Sequence, residues 1–407
     1  MTPQDRPGRL LRALLEREVA AGRGIPQAPV EIVRAPGRVN LMGEHTDYNE
    51  GFVLPAAIDL EIWMSLRPLP GRTVELTSLD LGRTASFDLD QLAPRDGQPG
   101  GWIDYVAGVA WALQEAALPV RAFRGVLDST VPVGSGLSSS AALEMAGARA
   151  LLGPSAEPPT AAVLASLGQR AENRYVGVNC GIMDQYASVN GRAGHAMLLD
   201  CRSLEARHVP LPQGIAIVAC HTGSSRRLDA SQYNSRRADC EEGVRILAER
   251  IPGIRSLRDL DEATLDEHRG LLPNGIARRC QHVVQENARV MQTLDALQAN
   301  DLGTVGRLFA ASHASLRDLY EVVSPELDAM VDIASAVPGV VATRMTGAGF
   351  GGCTVNLVSE DAVDTLRNTV LDQYSARTGL TPAVYVTQAV DGAGWLEPPR
   401  GGWESVA

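Results

Sequence analysis

Hydrophobic and polar positions along this chain switch repeatedly between a helical period and a strand-like one. Near the start, apolar residues at 10, 11, 14, 15 and 19, interrupted by Arg12 and Glu16, predict an amphipathic surface helix. Runs at Glu31–Arg34, Glu61–Arg67, Thr73–Thr77 and Gly125–Ser129 predict strands, and helical spacing follows at Ile103–Ala116, Ser139–Leu152 and Thr160–Tyr175. Strands are then predicted at Ala196–Asp200 and Ile215–Ala219, bracketing a turn-rich connection, Val209-Pro-Leu-Pro-Gln-Gly. The chain divides there, near residue 210, into a first unit of residues 1–210 and a second of 211–407. The second half opens with a long helical zone, Ser231–Arg250. Helices at Ala277–Ala299, Gly303–Leu319 and Pro325–Ala336 follow, and strands at Cys353–Val358 and Val384–Gln388 close it. No regular β-α-β beat runs through this order, so the expected class is α+β rather than doubly wound α/β.

Length supports two units, since 407 residues exceed what one hydrophobic core serves. With 45% hydrophobic and 21% charged residues the composition is that of an ordinary globular protein. The first apolar stretch is too short and too charged for a signal peptide or membrane span, and no later run approaches about 20 apolar residues. A net charge of -11 argues against nucleic acid or an anionic membrane as partner. Any polyanionic substrate must then be gathered by local cations, a metal or backbone amides. All 37 Lys+Arg residues are arginine, which excludes a Walker A loop and a protein-kinase site, because both need lysine. Six cysteines (180, 201, 220, 240, 280 and 353) without a C-x-x-C pair suit reduced cytoplasmic thiols better than disulfides or zinc.

Four segments carry the candidate chemistry. Ala35–Pro55 (APGRVNLMGEHTDYNEGFVLP) concentrates Arg38, Glu44, His45, Thr46 and Asp47 among glycines at 37, 43 and 51. So many polar groups are costly to bury unless a ligand satisfies them. A sugar does so, because each hydroxyl both donates and accepts; the alternative is a solvated turn between strands. Val131–Glu144 (VPVGSGLSSSAALE) runs a glycine turn into a serine-rich helix start. Free amides and the helix dipole there suit a phosphate, and serine hydroxyls can cap the helix or reach a metal. The same pattern also suits a bare turn with an N-cap. In Cys180-Gly181-Ile182-Met183-Asp184-Gln185, Asp184 opens a short helix predicted over Met183–Val189. Finally, Thr346–Cys353 (TGAGFGGC) places four glycines where backbone amides can form an anion-binding concavity or a plain turn.

PGRVNLMGEHTDYNEG, VPVGSGLSSSAALE, CGIMDQ and RMTGAGFGGC resemble, in order and spacing, the signature segments of galactokinases. These belong to the wider family of galacto-, homoserine, mevalonate and phosphomevalonate (GHMP) kinases. The resemblance implies an N-terminal domain like ribosomal protein S5 domain 2, a C-terminal ferredoxin-like α+β domain, and an active site in the cleft between them. Matched position by position, Glu44, His45, Thr46 and Asp47 hold galactose, and Gly181, Asp184 and Tyr233 complete the sugar site. Gly134, Ser135, Gly136, Leu137, Ser138, Ser139 and Ser140 match the phosphate loop for ATP. Ser140 and Glu172 match Mg²⁺ ligands, Trp102 an aromatic near the nucleotide base, and Ser78 a further nucleotide contact. Arg38 and Asp184 match the catalytic pair. The implied reaction moves the γ-phosphoryl group of Mg-ATP to the C1 hydroxyl of galactose, in the cytoplasm, by a monomer or weak homo-oligomer. A sibling kinase for N-acetylgalactosamine or arabinose, or a non-catalytic galactose and ATP sensor, are the alternatives. Met42 stands where isoleucine is usual, Glu50 where glycine is frequent, and residues 221–231 follow the family outline only in part.

Overall fold

The computed structural model describes residues 6–20, 28–95, 100–154, 158–224, 230–400 and 402–403. A six-stranded sheet forms the N-terminal half, in the spatial order Gly394–Trp395, Glu31–Asn40, Pro55–Pro68, Phe123–Ser129, Thr73–Ser78, Arg83–Asp88. Pairing is antiparallel except between Thr73–Ser78 and Phe123–Ser129. Helices Asp104–Glu115 and Ser139–Leu152 cover this sheet. The second of these is alanine-rich and buried on nearly every side, because small side chains let it approach its neighbours closely. At Gly147 an added Cβ would stand 3.0 Å from Val106 Cγ1.

Beyond residue 210 a four-stranded antiparallel sheet runs Val340–Thr346, Cys353–Ser359, Ile215–His221, Ala383–Thr387. It packs with helices Ala230–Ala248, Asn274–Gln298, Leu302–Ser315, Pro325–Ser335 and Val363–Thr378. A third sheet, Phe52–Val53 with His195–Asp200 and Ala206–Pro210, lies beside the first. The α+β class therefore holds. Near its end the chain crosses back, and Trp395 pairs with Val33 at the edge of the first sheet.

Most predicted elements are present, several of them longer. Three differences have clear causes. The proline-rich connection after Asp200 holds a strand, Ala206–Pro210, whose proline sits at its end, where no further ladder bond is needed. Arg83–Asp88 escapes pattern reading because it is a mostly polar edge strand. Helix Val363–Thr378 escapes it because only Leu366, Val370 and Tyr374 are buried, a stripe one residue wide.

Two local features position the site. In strand Glu31–Asn40 the register slips between Pro36 and Gly37, a bulge that re-aims Arg38. A Cβ on Gly37 would fall 2.4 Å from the Leu137 carbonyl oxygen, and the Arg38 amide donates to that oxygen at 3.1 Å. Only glycine lets the segment carrying Leu137 lie that close. The predicted helix over Thr160–Tyr175 is α-helical to Arg170 and then widens to π geometry over Ala171–Val176, where Glu172 sits.

Candidate active site

Arg38 and Asp184 meet on the floor of a cleft between the two halves. Asp184 occupies the first turn of helix Met183–Asn190, as its sequence position predicts. The Arg38 Nε donates to Asp184 Oδ1 at 2.9 Å, and a terminal guanidinium nitrogen stands 2.6 Å from the same oxygen. The other terminal nitrogen donates to the Gly136 carbonyl at 2.5 Å, tying the pair to the glycine loop. Ser138 neither caps its helix nor lines the cleft near Glu172. It takes a left-handed backbone (φ 64°) and donates its hydroxyl to Asp184 Oδ2 at 2.5 Å.

The glycine loop makes the turn that its spacing predicts and leads into the helix. Gly134 and Gly136 have positive φ, Ser135 donates to the Pro132 carbonyl, and Leu137 is buried in the core. Ser139 opens the helix, and Ser140 one residue on lines the cleft. The second glycine segment packs against this loop: a Cβ on Gly352 would stand 2.6 Å from the Ser135 carbonyl oxygen.

Glu44, His45, Asp47, Tyr48, Gly181 and Tyr233 line the other end of the same cleft. Burial, then the neighbouring Asp184 and Glu44, push the Asp47 carboxyl up to about 6. Glu44 is held by Asn40 Nδ2 at 2.6 Å, the Gly347 amide at 2.8 Å and Arg344 at 3.3 Å. The TGAGFGGC loop thus spends its first glycine amide on a carboxylate of the protein itself. Thr46 does not face the cleft. Its hydroxyl bonds the carbonyls of Gly43 (2.8 Å) and Phe52 (2.6 Å) and closes the turn that carries its neighbours. Glu50 adopts the left-handed conformation (φ 56°) that explains glycine at this position, and Arg202 holds its side chain at 2.7 Å.

Glu172 lines the cleft beside Ser140, whose hydroxyl bonds it. Gln185 Nε2 donates to Glu172 Oε2 at 2.7 Å and to the fully buried Glu144 at 2.9 Å. Burial, and then the neighbouring carboxylates, raise both glutamates above the usual range. Glu144 Oε1 has no partner among the described residues. Hard oxygen donors carrying uncompensated negative charge fit a Mg²⁺ ion, which needs few protein ligands. Among those residues, no cluster of three His, Cys, Asp or Glu side chains forms a metal cage.

Ser78 and Trp102 are not brought to this cleft. The Ser78 hydroxyl accepts the Leu81 amide at 3.2 Å within a turn, and Trp102 packs half-buried on the N-terminal core. Of residues 221–231, positions 225–229 lie outside the described residues.

Sequence reasoning missed the scaffold behind the sugar segment. Glu286, fully buried on helix Asn274–Gln298, accepts the amides of Gly43 (3.1 Å) and Glu44 (3.4 Å) and pairs with Arg289 at 2.7 Å. Burial alone would raise its carboxyl, but Arg289, His282 and Arg344 bring it down to about 2. His282, lowered to about 4 by burial, sits 3.1 Å from the Glu44 carbonyl oxygen. Buried Arg344 donates to the carbonyls of Leu41 (2.8 Å) and Asn40 (2.7 Å). A readable signal existed in polar residues 282, 286 and 287, which fall on the helix face also carrying Val283, Val290 and Leu294.

A sequence model of the galactokinase galactose-binding signature matches residues 24–68, and models of the GHMP kinase N-terminal and C-terminal domains match 104–192 and 293–376. A galactokinase of Roseiflexus sp. (strain RS-1) is 47% identical over 366 residues, covering 90% of this chain and 93% of that one. A galactokinase of Chloroflexus aggregans is 47% identical over 87% of this chain and 90% of its own. The crystal structure of Lactococcus lactis galactokinase complexed with galactose superposes with a TM-score of 0.88 at 36% identity, covering 95% of this chain and all (100%) of that one. Methanococcus jannaschii mevalonate kinase (TM-score 0.63, 18% identity, 90% of this chain and 100% of that one) shares the fold alone. Identity at this level over 90% of the chain, with the sugar signature ahead of both kinase domains, makes this chain a member of the galactokinase family.

Proposed function

We propose that this protein transfers the γ-phosphoryl group of ATP to the C1 hydroxyl of α-D-galactose, giving galactose 1-phosphate and ADP. The observation that carries the reading is the Arg38–Asp184 pair, which joins the sugar-lining carboxylates to the glycine loop in one cleft. Phosphoryl transfer passes through a loose transition state, so positioning and charge stabilisation matter more than strong base catalysis. Asp184, held on both oxygens by Arg38 and Ser138, orients the C1 hydroxyl and accepts its proton. Arg38 offsets negative charge on the transferring group. Glu44 and Asp47 accept hydrogen bonds from sugar hydroxyls, and Tyr233 closes that end. Ser140 and Glu172 would hold Mg²⁺, which supplies positive charge to the ATP phosphates.

The division of labour falls near residue 210, with the phosphate loop and Asp184 before it and Tyr233 after it. Six free cysteines suit a reducing, cytoplasmic compartment, and the enzyme is expected to act as a monomer or weak homo-oligomer. Among the described residues, no helix is long and apolar enough to cross a membrane. The test is ADP release from Mg-ATP with galactose, N-acetylgalactosamine, arabinose and glucose, with Asp184→Asn as control. Turnover of galactose that disappears in the variant is expected. Preference for another sugar overturns the substrate assignment, and galactose binding without turnover points to a sensor.

A further inference from the structure

Beside the His45 imidazole runs a chain of hydroxyls that starts at the cleft and ends in the core. His45 Nδ1 lies 2.9 Å from the Tyr48 hydroxyl, which lies 2.6 Å from the Tyr320 hydroxyl, itself 3.3 Å from Cys240 Sγ. Tyr320 closes the π-turn Leu316–Tyr320, and Cys240 sits on helix Ala230–Ala248, so the chain enters the sugar site from the C-terminal half. The Tyr320 ring packs, tilted, against His45 with centroids 4.5 Å apart and against His282 at 4.6 Å, and Tyr320 is fully buried.

Each hydroxyl donates once, so the chain runs in one of two senses. Either His45 Nδ1–H donates outward through Tyr48 and Tyr320 to the thiol, or the phenols donate inward to an unprotonated Nδ1. An imidazole nitrogen lone pair is a stronger acceptor than a phenol oxygen, and a phenol is a stronger donor than a neutral imidazole N–H. The terminal thiol is weak in both roles and does not reverse this preference. Burial pushes both phenols well above their ordinary pKa, so both keep their protons as donors.

We infer that Tyr48, backed by Tyr320, fixes His45 as its Nε2–H tautomer and so makes it a hydrogen-bond donor to the sugar. The consequence for recognition rests on the galactose reading above. Glu44 and Asp47 can only accept when ionised, so a site built from them alone would leave the sugar's hydroxyl oxygens without donors. A hydroxyl whose oxygen accepts from His45 keeps its own hydrogen for a carboxylate. Tyr320 is a positioning residue in this scheme, acting on the sugar through His45, whereas Tyr48 also lines the cleft, so its positioning part is read from the His45 tautomer.

The test is ¹⁵N–¹H NMR of the histidine-labelled apo-protein, with the His45 signal assigned by its loss in His45→Gln. Wild type is expected to show Nδ1 as the unprotonated and Nε2 as the protonated nitrogen. Tyr48→Phe keeps the ring and removes the hydroxyl. It is expected to give mixed tautomers and to raise the galactose KM by about tenfold while kcat changes less. Tyr320→Phe is expected to move both readouts in the same direction by a smaller amount. An Nδ1–H tautomer in wild type, or an unaltered His45 spectrum and KM in Tyr48→Phe, overturns the inference. Wild-type enzyme inactive on galactose yet showing the Nε2–H signal would remove the substrate reading and leave the tautomer assignment standing.

Discussion

Replacing Gly181 by alanine separates sugar binding from folding. An added Cβ would stand 1.8 Å from Asp47 Oδ2 and 2.1 Å from its Cγ, and the three nearest atoms all belong to that carboxylate. Gly181 has no positive φ, so alanine meets no backbone strain there. Cβ contacts essentially never fall below 3.0 Å, so the Asp47 oxygen has to retreat by about 1.2 Å, the difference between the two distances. Because the obstacle is the end of a side chain, the fold yields cheaply, losing at most the bonds that Asp47 accepts from the Tyr48 amide (2.9 Å) and the Met183 amide. Together they contribute about 2 kcal/mol, or a Tm shift of about 2–3 °C in a chain of 407 residues. In sugar binding the loss shows more sharply. A hydrogen bond to a charged group contributes about 1.5–3 kcal/mol, which is roughly a tenfold to hundredfold loss in affinity. The assay is a coupled ADP-release titration in galactose and in Mg-ATP, run beside thermal unfolding. The galactose KM should rise by that factor while the Mg-ATP KM stays within about twofold. A galactose KM near wild type, or a collapse of stability together with affinity, would refute the reasoning.

Other consequences are equally direct. Arg38→Ala should lower kcat by at least ~10²-fold through loss of a transition-state charge partner, with near wild-type turnover in a folded variant removing that role. Asp47, ionised above its raised value of about 6 and protonated below it, should put an acid limb near that pH in kcat/KM for galactose. The absence of such a limb in a profile followed from pH 8 to 5 would deny Asp47 a part in binding. Glu286→Gln should destabilise the fold by about 3–5 kcal/mol, because Arg289 would be left in a broken buried pair. With a folded value of about 2, below the ordinary 4.5, Glu286 stabilises the protein above about pH 4.5 and progressively less as pH falls towards 2. Acid unfolding of the variant, measured by circular dichroism, should therefore show a shallower pH dependence across that window.

The sequence alone determined the class, the order of the main elements and the chemical inventory. Where candidate residues lie close together in the chain, as in Gly134–Ser140 or Gly181–Asp184, local spacing singled the segments out and the family resemblance supplied their expected roles. Departures were also legible: Glu50 stood out in the sequence, although its left-handed backbone became visible only in the fold. The direction in which each polar side chain points was settled by tertiary packing. Thr46 sits between two cleft-lining residues, yet its hydroxyl closes the turn, because the Gly43 and Phe52 carbonyls lie within reach on the inner side. Ser138 serves Asp184 rather than its own helix because the bulge at Gly37 draws the glycine loop against strand Glu31–Asn40. Glu286, Arg344 and Tyr320 lie 243, 300 and 272 residues along the chain from the positions they support. No periodicity links such distant positions. They act on the sugar segment only because burial of the two halves against each other leaves its amides, carboxylate and imidazole needing partners that solvent can no longer supply.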